Sequence, residues 1–295
     1  MRIKEFSDPF KGKKGVYMIS LDHLERQLLF RSDQDYIYGV NTLAIGTLKF
    51  QVVVLCYALM DNHLHILLLG LWKDCLAYFK WVLHRLSIMM KNRYGIQGLL
   101  KEDAADVQAV PDPQALLNEV AYLLRNPYKA RIDSPFSYRW SSAEVYFNVN
   151  LDLIKGERFK SAAEAQRILG THIGIPPHWE HYQGRILNKC FVDYRMVERY
   201  IENSLAFFDR LRKYDLESAV AQKHGIEEKI TFTDSEIQEK ILVICRNEYH
   251  VDSIHQLTRK DLLRLARALA GRFACPPKQI ARLLGLDPSL LDTVL

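Results

Sequence analysis

Cysteine is scarce in this chain and shows no pattern. The five residues, Cys56, Cys75, Cys190, Cys245 and Cys275, are scattered and odd in number, and none forms a C-x-x-C pair. A disulfide framework and a cysteine zinc site are therefore not expected, which fits a reducing cytoplasm. The start of the chain, Met-Arg-Ile-Lys-Glu-Phe-Ser-Asp-Pro, lacks the apolar core of a signal peptide. Long hydrophobic runs are missing as well. The apolar stretch from Val52 is broken by Asp61, Asn62, His63 and His65, short of the ~18–20 apolar residues a membrane span requires. There is no internal repeat and no low-complexity tract. These absences point to a soluble cytoplasmic protein with no membrane partner. What is present is ordinary: 295 residues, 48% hydrophobic and 25% charged, enough for one large domain or two modest ones. A formal charge of +5 permits nucleic-acid binding without demanding it.

Taken in order, residues 1–14 are polar and basic, like a loose arm. Gly15–Ser20 has strand character from its β-branched and aromatic residues. Gln27-Leu28-Leu29-Phe30 suits a short second strand. Ser32 can cap a helix reaching about Ile45, with Gly46 closing it. Residues 49–59 read as a strand, Asp61-Asn62 as a tight turn or bulge, and His63–Leu69 as a buried strand. Lys73 to Tyr94 is periodic like a helix and stops at Gly95. Gly98-Leu99-Leu100 and Val107–Val110 are short strand candidates. Pro111-Asp112-Pro113 starts a helix expected to end at Asn126-Pro127, because proline disfavours the helical region for the residue before it. Residues 151–225 read as helical, with a loop near Gly174-Ile175-Pro176-Pro177, and Lys223–Lys229 as a linker. The resulting division is 1–150, a helical connection over 151–230, and a helical unit over 231–295.

Chemistry concentrates in Met60-Asp61-Asn62-His63-Leu64-His65-Ile66-Leu67-Leu68. Residues i and i+2 of a strand share a face, so His63 and His65 project side by side and can supply two ligands to a divalent metal. A third ligand must come from elsewhere. The helix beginning near Gln114 offers one. At roughly 100° per residue, Leu116, Leu117, Val120, Ala121, Leu123 and Leu124 form one apolar stripe. Tyr122 falls almost opposite its centre, flanked by Asn118 and Asn126. If that polar face looks at the histidine strand, Asn126 reaches the metal and the Tyr122 phenol stands beside it.

Three segments, Tyr57–Leu68, Tyr122-Leu123-Leu124-Arg125-Asn126-Pro127-Tyr128-Lys129-Ala130 and Tyr138-Arg139-Trp140-Ser141-Ser142, together resemble the HUH endonucleases of the single-tyrosine transposase type, in particular the REP-associated tyrosine transposases. The resemblance covers roughly residues 10–147. It implies an α+β, ferredoxin-like HUH fold with an antiparallel sheet and flanking helices, followed here by a helical C-terminal extension. It also implies Mg²⁺ or Mn²⁺ held by His63, His65 and Asn126, with Tyr122 as nucleophile. The implied reaction cleaves and rejoins single-stranded DNA at hairpin or repeat ends through a 5′-phosphotyrosine, and a homodimer is compatible with it. Asp61 departs from the family, which most often has proline there. No chemical role follows for Tyr138–Ser142; packing against the tyrosine helix and a phosphate contact through Arg139 are both open.

Other features compete for attention. Tyr200, in Arg199-Tyr200-Ile201-Glu202-Asn203-Ser204, is a rival nucleophile on a helix-like segment. His178 and His181 have i, i+3 spacing but read better as surface or packed residues. Arg125, Lys129 and Arg131 are placed to guide a phosphate backbone. From Arg259 to Leu283 seven basic residues face one acid, Asp261. Lys278–Asp287 resembles the middle of a helix-turn-helix, with Ala281 at the close packing and Gly285 at the turn. Arg264, Arg267, Lys278 and Arg282 are the phosphate contacts expected there. A non-catalytic DNA-binding regulator is the reading from another class, and a replication- or relaxase-type nickase on the same fold is a third.

Overall fold

The computed structural model describes residues 14–21, 28–98, 100, 105–130, 132–211, 234–273 and 275–291. The chain divides into two units. One comprises Met1–Leu124 and Arg139–Leu211, the other Arg125–Tyr138 and Arg212–Leu295. The architecture is mixed α+β. Among the described residues no helix is long and apolar enough to cross a membrane.

The first unit is built on four antiparallel strands: β1 (Gly15–Leu21), β2 (Val52–Leu59), β3 (Leu64–Gly70) and β4 (Ala105–Val110), in the order β2-β3-β1-β4. Helix α1 (Asp33–Lys49) lies between β1 and β2 in the chain, and α2 (Trp72–Tyr94) between β3 and β4. The Val- and Leu-rich composition of β2 and β3 suits a sheet covered on both faces, and every residue of β3 is buried. Helix α2 buries Tyr78, Phe79, Val82, Leu83, Leu86, Met89 and Met90, a stripe at helical spacing. It ends, as expected, on Gly95 in the left-handed region (φ 69°).

Helix α1 starts behind Ser32 but does not close at Gly46. It runs on to Lys49. Gly46 is needed inside the helix, because a Cβ there would come within 2.5 Å of the Tyr78 ring. Leu28–Phe30 is a loop rather than a strand. Leu29 and Phe30 donate their backbone N–H groups to the Asp61 carbonyl at 2.7 and 3.0 Å, which uses them at a turn instead of a ladder. Gln27 lies outside the described residues. Gly98 and Leu100 sit in bends, Gly98 at φ 70°, so no strand forms there; Leu99 is outside the described residues.

Helix α3 (Pro113–Leu124) stops two residues short of Asn126. Pro127 has no N–H and its ring would meet the carbonyl four residues back, so it cannot continue α3. It is tolerated in the first turn of a separate helical segment, Asn126–Lys129.

The expectation of a mostly helical 151–225 is corrected over the described residues. Three short antiparallel strands, β5 (Glu157–Arg158), β6 (Glu180–Tyr182) and β7 (Arg185–Ile186), form a second sheet in the order β5-β6-β7. Gln183 and Gly184, both at positive φ, make the two-residue turn between β6 and β7. The helices here are α4 (Ala162–Leu169), α5 (Tyr194–Glu198) and residues 204–211. Asn41 of α1 ties this segment to the main sheet's helices. It donates to the Gly184 carbonyl at 2.7 Å and accepts from the Ile186 N–H at 2.9 Å. Residues 139–211 therefore belong with the first unit, and no boundary falls at 150. The expected linker at 223–229 lies outside the described residues.

The second unit contains α6 (Asp234–Glu248), α7 (Arg259–Phe273), α8 (Pro277–Leu284) and α9 (Pro288–Leu291). Its core includes Ile237, Ile241, Leu265, Leu269, Ile280 and Leu284. Gly285, at φ 64°, ends α8, and Ala281 is buried.

Candidate functional site

The register of the sheet sets the site. Ala58, His65, Ser20 and Asp106 pair in sequence across β2, β3, β1 and β4. The next row includes Leu67, Met18 and Gln108. Residues facing each other across strands share a face, so Ser20, Asp106, Met18 and Gln108 surround His65 on one side of the sheet. The small side chains of Ala58 and Ser20 leave room beside the imidazole. The apolar stripe of α3, Leu116, Leu117, Val120, Ala121, Leu123 and Leu124, is buried, and α3 packs on β2 and β3. Its opposite face therefore stands at the edge of this row. Met18, Ser20, His65, Asp106, Gln108, Glu119 and Tyr122 line a cleft of about 260 Å³.

His65 is buried, and Tyr122 is 36% exposed. Their rings meet edge to face at 5.8 Å between centroids. His63 precedes β3 rather than starting it. Met60 N–H donates to the His63 carbonyl at 2.8 Å, so Asp61 and Asn62 form the turn of the β2–β3 hairpin. The His63 and His65 rings lie 4.9 Å apart. His63 Nδ1 is 2.7 Å from the Asn62 side-chain oxygen. That oxygen accepts, so with Nδ1 as the donor the hydrogen bond orients the ring in the way an outer-shell partner orients a metal-binding imidazole. The donor chemistry of His63 thus fits a divalent cation. Among the described residues no three of His, Cys, Asp and Glu gather closely enough to hold one by themselves.

The structure brings together His63, His65 and Tyr122. Asn126 belongs to the second unit, where it is buried in the first turn of Asn126–Lys129. Arg125, expected as a guide for a phosphate backbone, is also buried. The Lys129 side chain and all of Arg131 lie outside the described residues.

Two cleft residues escaped the sequence reading. Asp106 and Glu119 each resemble a solvated acid when read locally. The only available signal was that Glu119 lies three residues before Tyr122 and so is its neighbour on the helix surface. Glu119 is half-buried, and that burial raises its carboxyl above the usual range.

The rival groups fare differently. Helix α5 ends at Glu198, and Tyr200 sits in a turn rather than on a helix. His178 is an exposed turn residue, and His181 is a buried β6 residue packed on Phe159 at 4.6 Å. The 139–142 segment packs against the edge of β2. Leu59 N–H donates to the Trp140 carbonyl, and Ser142 Oγ accepts from the Tyr57 N–H at 3.0 Å. Trp140 stacks on Tyr36 at 4.8 Å, with Arg139 over the Trp140 ring and paired with Asp33. The motif seals a sheet edge.

In the helical unit, Arg264, Arg267 and Lys278 are exposed. Arg264 and Arg267, with Lys260, recur at i, i+4, i+7 and so share one face of α7. Arg282 is corrected. Its guanidinium binds both carboxylate oxygens of Asp234, at 2.6 and 2.9 Å, and Gln279 donates to the same carboxylate at 3.0 Å. Arg282 holds the helices together and does not present its charge outward.

Comparison with protein-family models, curated proteins and solved structures finds no match for the chain.

Proposed function

We propose that this protein cleaves and rejoins single-stranded DNA through a covalent bond to Tyr122. The observation that carries the reading is the edge-to-face contact of a partly exposed Tyr122 ring with the buried His65 ring, both lining one cleft, with the His63 ring next to His65. The chain order β1-α1-β2-β3-α2-β4 with sheet order β2-β3-β1-β4 supports a ferredoxin-like HUH fold. The HUH-type motifs in the sequence point to the same chemistry.

In this reading His63 and His65, with Asn126 as the amide ligand that the resemblance implies, would hold Mg²⁺ or Mn²⁺, which when bound supplies neutralisation of the charge that grows on a scissile phosphate. The chain's own residues do the rest. Tyr122 Oη attacks phosphorus in line, the bond from phosphorus to the 3′ oxygen breaks, and a 5′-phosphotyrosine and a free 3′-OH result. The phosphotyrosine retains the transfer potential of the phosphodiester, so a second 3′-OH rejoins the strand without an external energy source. Exposed Arg264, Arg267 and Lys278 supply sequence-independent phosphate contacts. The substrate is a single strand with hairpin or repeat structure, and the protein works in the cytoplasm, compatible with a homodimer.

The test is covalent trapping. A pool of 3′-labelled single-stranded hairpins with Mg²⁺ or Mn²⁺ is expected to give a denaturation-resistant labelled protein, lost in Tyr122→Phe. An adduct that survives in Tyr122→Phe and vanishes in Tyr200→Phe refutes the assignment. No adduct from the wild type on any hairpin in the pool favours a non-catalytic regulator.

A further inference from the structure

We propose that Glu119 takes the proton from the Tyr122 hydroxyl as that oxygen bonds to phosphorus and hands it to the departing 3′ oxygen. The inference rests on the reading of Tyr122 as the nucleophile. A phenol with an ordinary pKa near ~10 is protonated at neutral pH, so an attack by its oxygen needs an acceptor for the proton. The cleft contains one suited to the task.

Glu119 and Tyr122 stand three residues apart on α3, which makes them neighbours on the helix surface, with Cβ atoms about 5–6 Å apart. Both line the same cleft. The rest of the polar face of α3 is occupied. Asn118 accepts from Arg210 at 2.7 Å, and Gln114 is reached by the same guanidinium at 3.5 Å. Glu119 has no hydrogen bond or ion pair with any described residue, and burial alone accounts for its raised carboxyl. A half-buried carboxylate without a partner costs stability, and its raised pKa brings it closer to that of an effective base near neutral pH.

The other polar groups of the cleft serve less well. His65 is read as a metal ligand, so its lone pair is committed. Asp106 projects from β4 at the far end of the strand row and accepts from Gln108 at 3.1 Å. The Ser20 hydroxyl is too weakly basic. The step balances without a co-reactant. The O–H bond of Tyr122 breaks as its oxygen bonds to phosphorus, the proton moves to the Glu119 carboxylate, and the P–O3′ bond breaks with its electron pair staying on the 3′ oxygen. The Glu119 proton then completes the 3′-OH.

The experiment measures the rate of adduct formation on the 3′-labelled hairpin pool. Glu119→Gln is expected to slow it by about 10²–10⁴-fold, the usual contribution of a positioned acid–base group, with hairpin affinity unchanged. Glu119→Asp is expected to retain part of the rate. Fluorotyrosine at position 122, whose phenol is more acidic, is expected to recover much of what Glu119→Gln loses, which a merely structural Glu119 would not allow. A Tyr122-dependent adduct that forms at the wild-type rate in Glu119→Gln, or a loss indifferent to fluorination, overturns the role of Glu119 alone. Failure of the wild type to form any adduct overturns the Tyr122 reading and this inference with it.

Discussion

Glu119 in the cleft of the first unit and Arg282 in the helical unit are both partly buried ionisable side chains, and they differ in what surrounds them. Arg282 is met by both oxygens of Asp234, which also accepts from Gln279. Glu119 is met by no described polar group. A paired buried charge belongs to the structure, because removing its partner strands it. An unpaired one is a cost that the fold does not offset, and such groups collect where chemistry is done. On this criterion the helical unit spends Arg282 on its own cohesion, while the sheet cleft leaves Glu119 free to act.

The largest effect expected from this contrast is at Asp234. Asp234→Ala removes the carboxylate that the Arg282 guanidinium and the Gln279 amide share, in a site where both charged side chains are mostly buried, and a broken buried pair costs about 3–5 kcal/mol. Thermal or urea unfolding followed by circular dichroism reads this as a lower midpoint. A loss below about 1 kcal/mol would put the pair in the range of a surface salt bridge and undo the comparison.

Asp35 tests the same idea within the first unit. Burial would raise its carboxyl, but the Tyr94 hydroxyl, the Arg31 backbone N–H and the Arg93 guanidinium outweigh it and hold the group below the usual carboxylate range. A folded pKa below the unfolded one means that the unfolded chain binds more protons in the window between them. The stabilisation is therefore full above the unfolded value of ~3.9 and is lost as pH falls through the folded value. Asp35→Asn is expected to lower stability by about 1–3 kcal/mol at neutral pH, and the gap from the wild type should close in acid below about pH 4. A gap that persists unchanged at low pH contradicts the carboxylate's role.

Glu119→Gln should move stability the other way, by less. Its carboxyl is raised by burial, so the ionised form is a burden above the folded pKa that disappears below the unfolded one, about 4. Removing the charge is expected to raise the melting temperature slightly at pH 7 and to leave it unchanged in acid, while adduct formation falls. Such an exchange of stability for activity is the signature of a functional group. A drop in melting temperature would show that Glu119 has a partner after all.

Much of the first unit was legible because it is local. The i, i+2 histidines, the apolar stripe of α3 and the placement of Tyr122 opposite it follow from strand and helix periods. What escaped was set across the chain. The strand row that brings Asp106 and Ser20 beside His65 exists only once β4 pairs with β1 and β1 with β3. Arg282 looked like a free cation because Asp234 lies 48 residues away. The β5–β7 sheet was hidden by strands of two or three residues, too short to show alternation. Gly46 read as a helix stop because its reason to be glycine, the Tyr78 ring, comes from another helix.

The smallest stability effect should come from the exposed basic face of α7. Among the described residues Arg264 pairs with Asp261, at 3.5 Å and with its side chain 60% exposed, and such pairs contribute little. Arg264→Ala is expected to shift stability by no more than about 0.5 kcal/mol. If Arg264 contacts phosphates, the same change weakens binding to single-stranded oligonucleotides regardless of sequence. It also lowers the slope of log affinity against log salt by about 0.7 per lost contact. Arg267→Ala should behave alike, whereas Arg282→Ala should destabilise the helical unit first. A salt slope unchanged in the Arg264→Ala, Arg267→Ala double variant would remove α7 from the DNA-binding surface and leave its basic stripe as a solvated helix face.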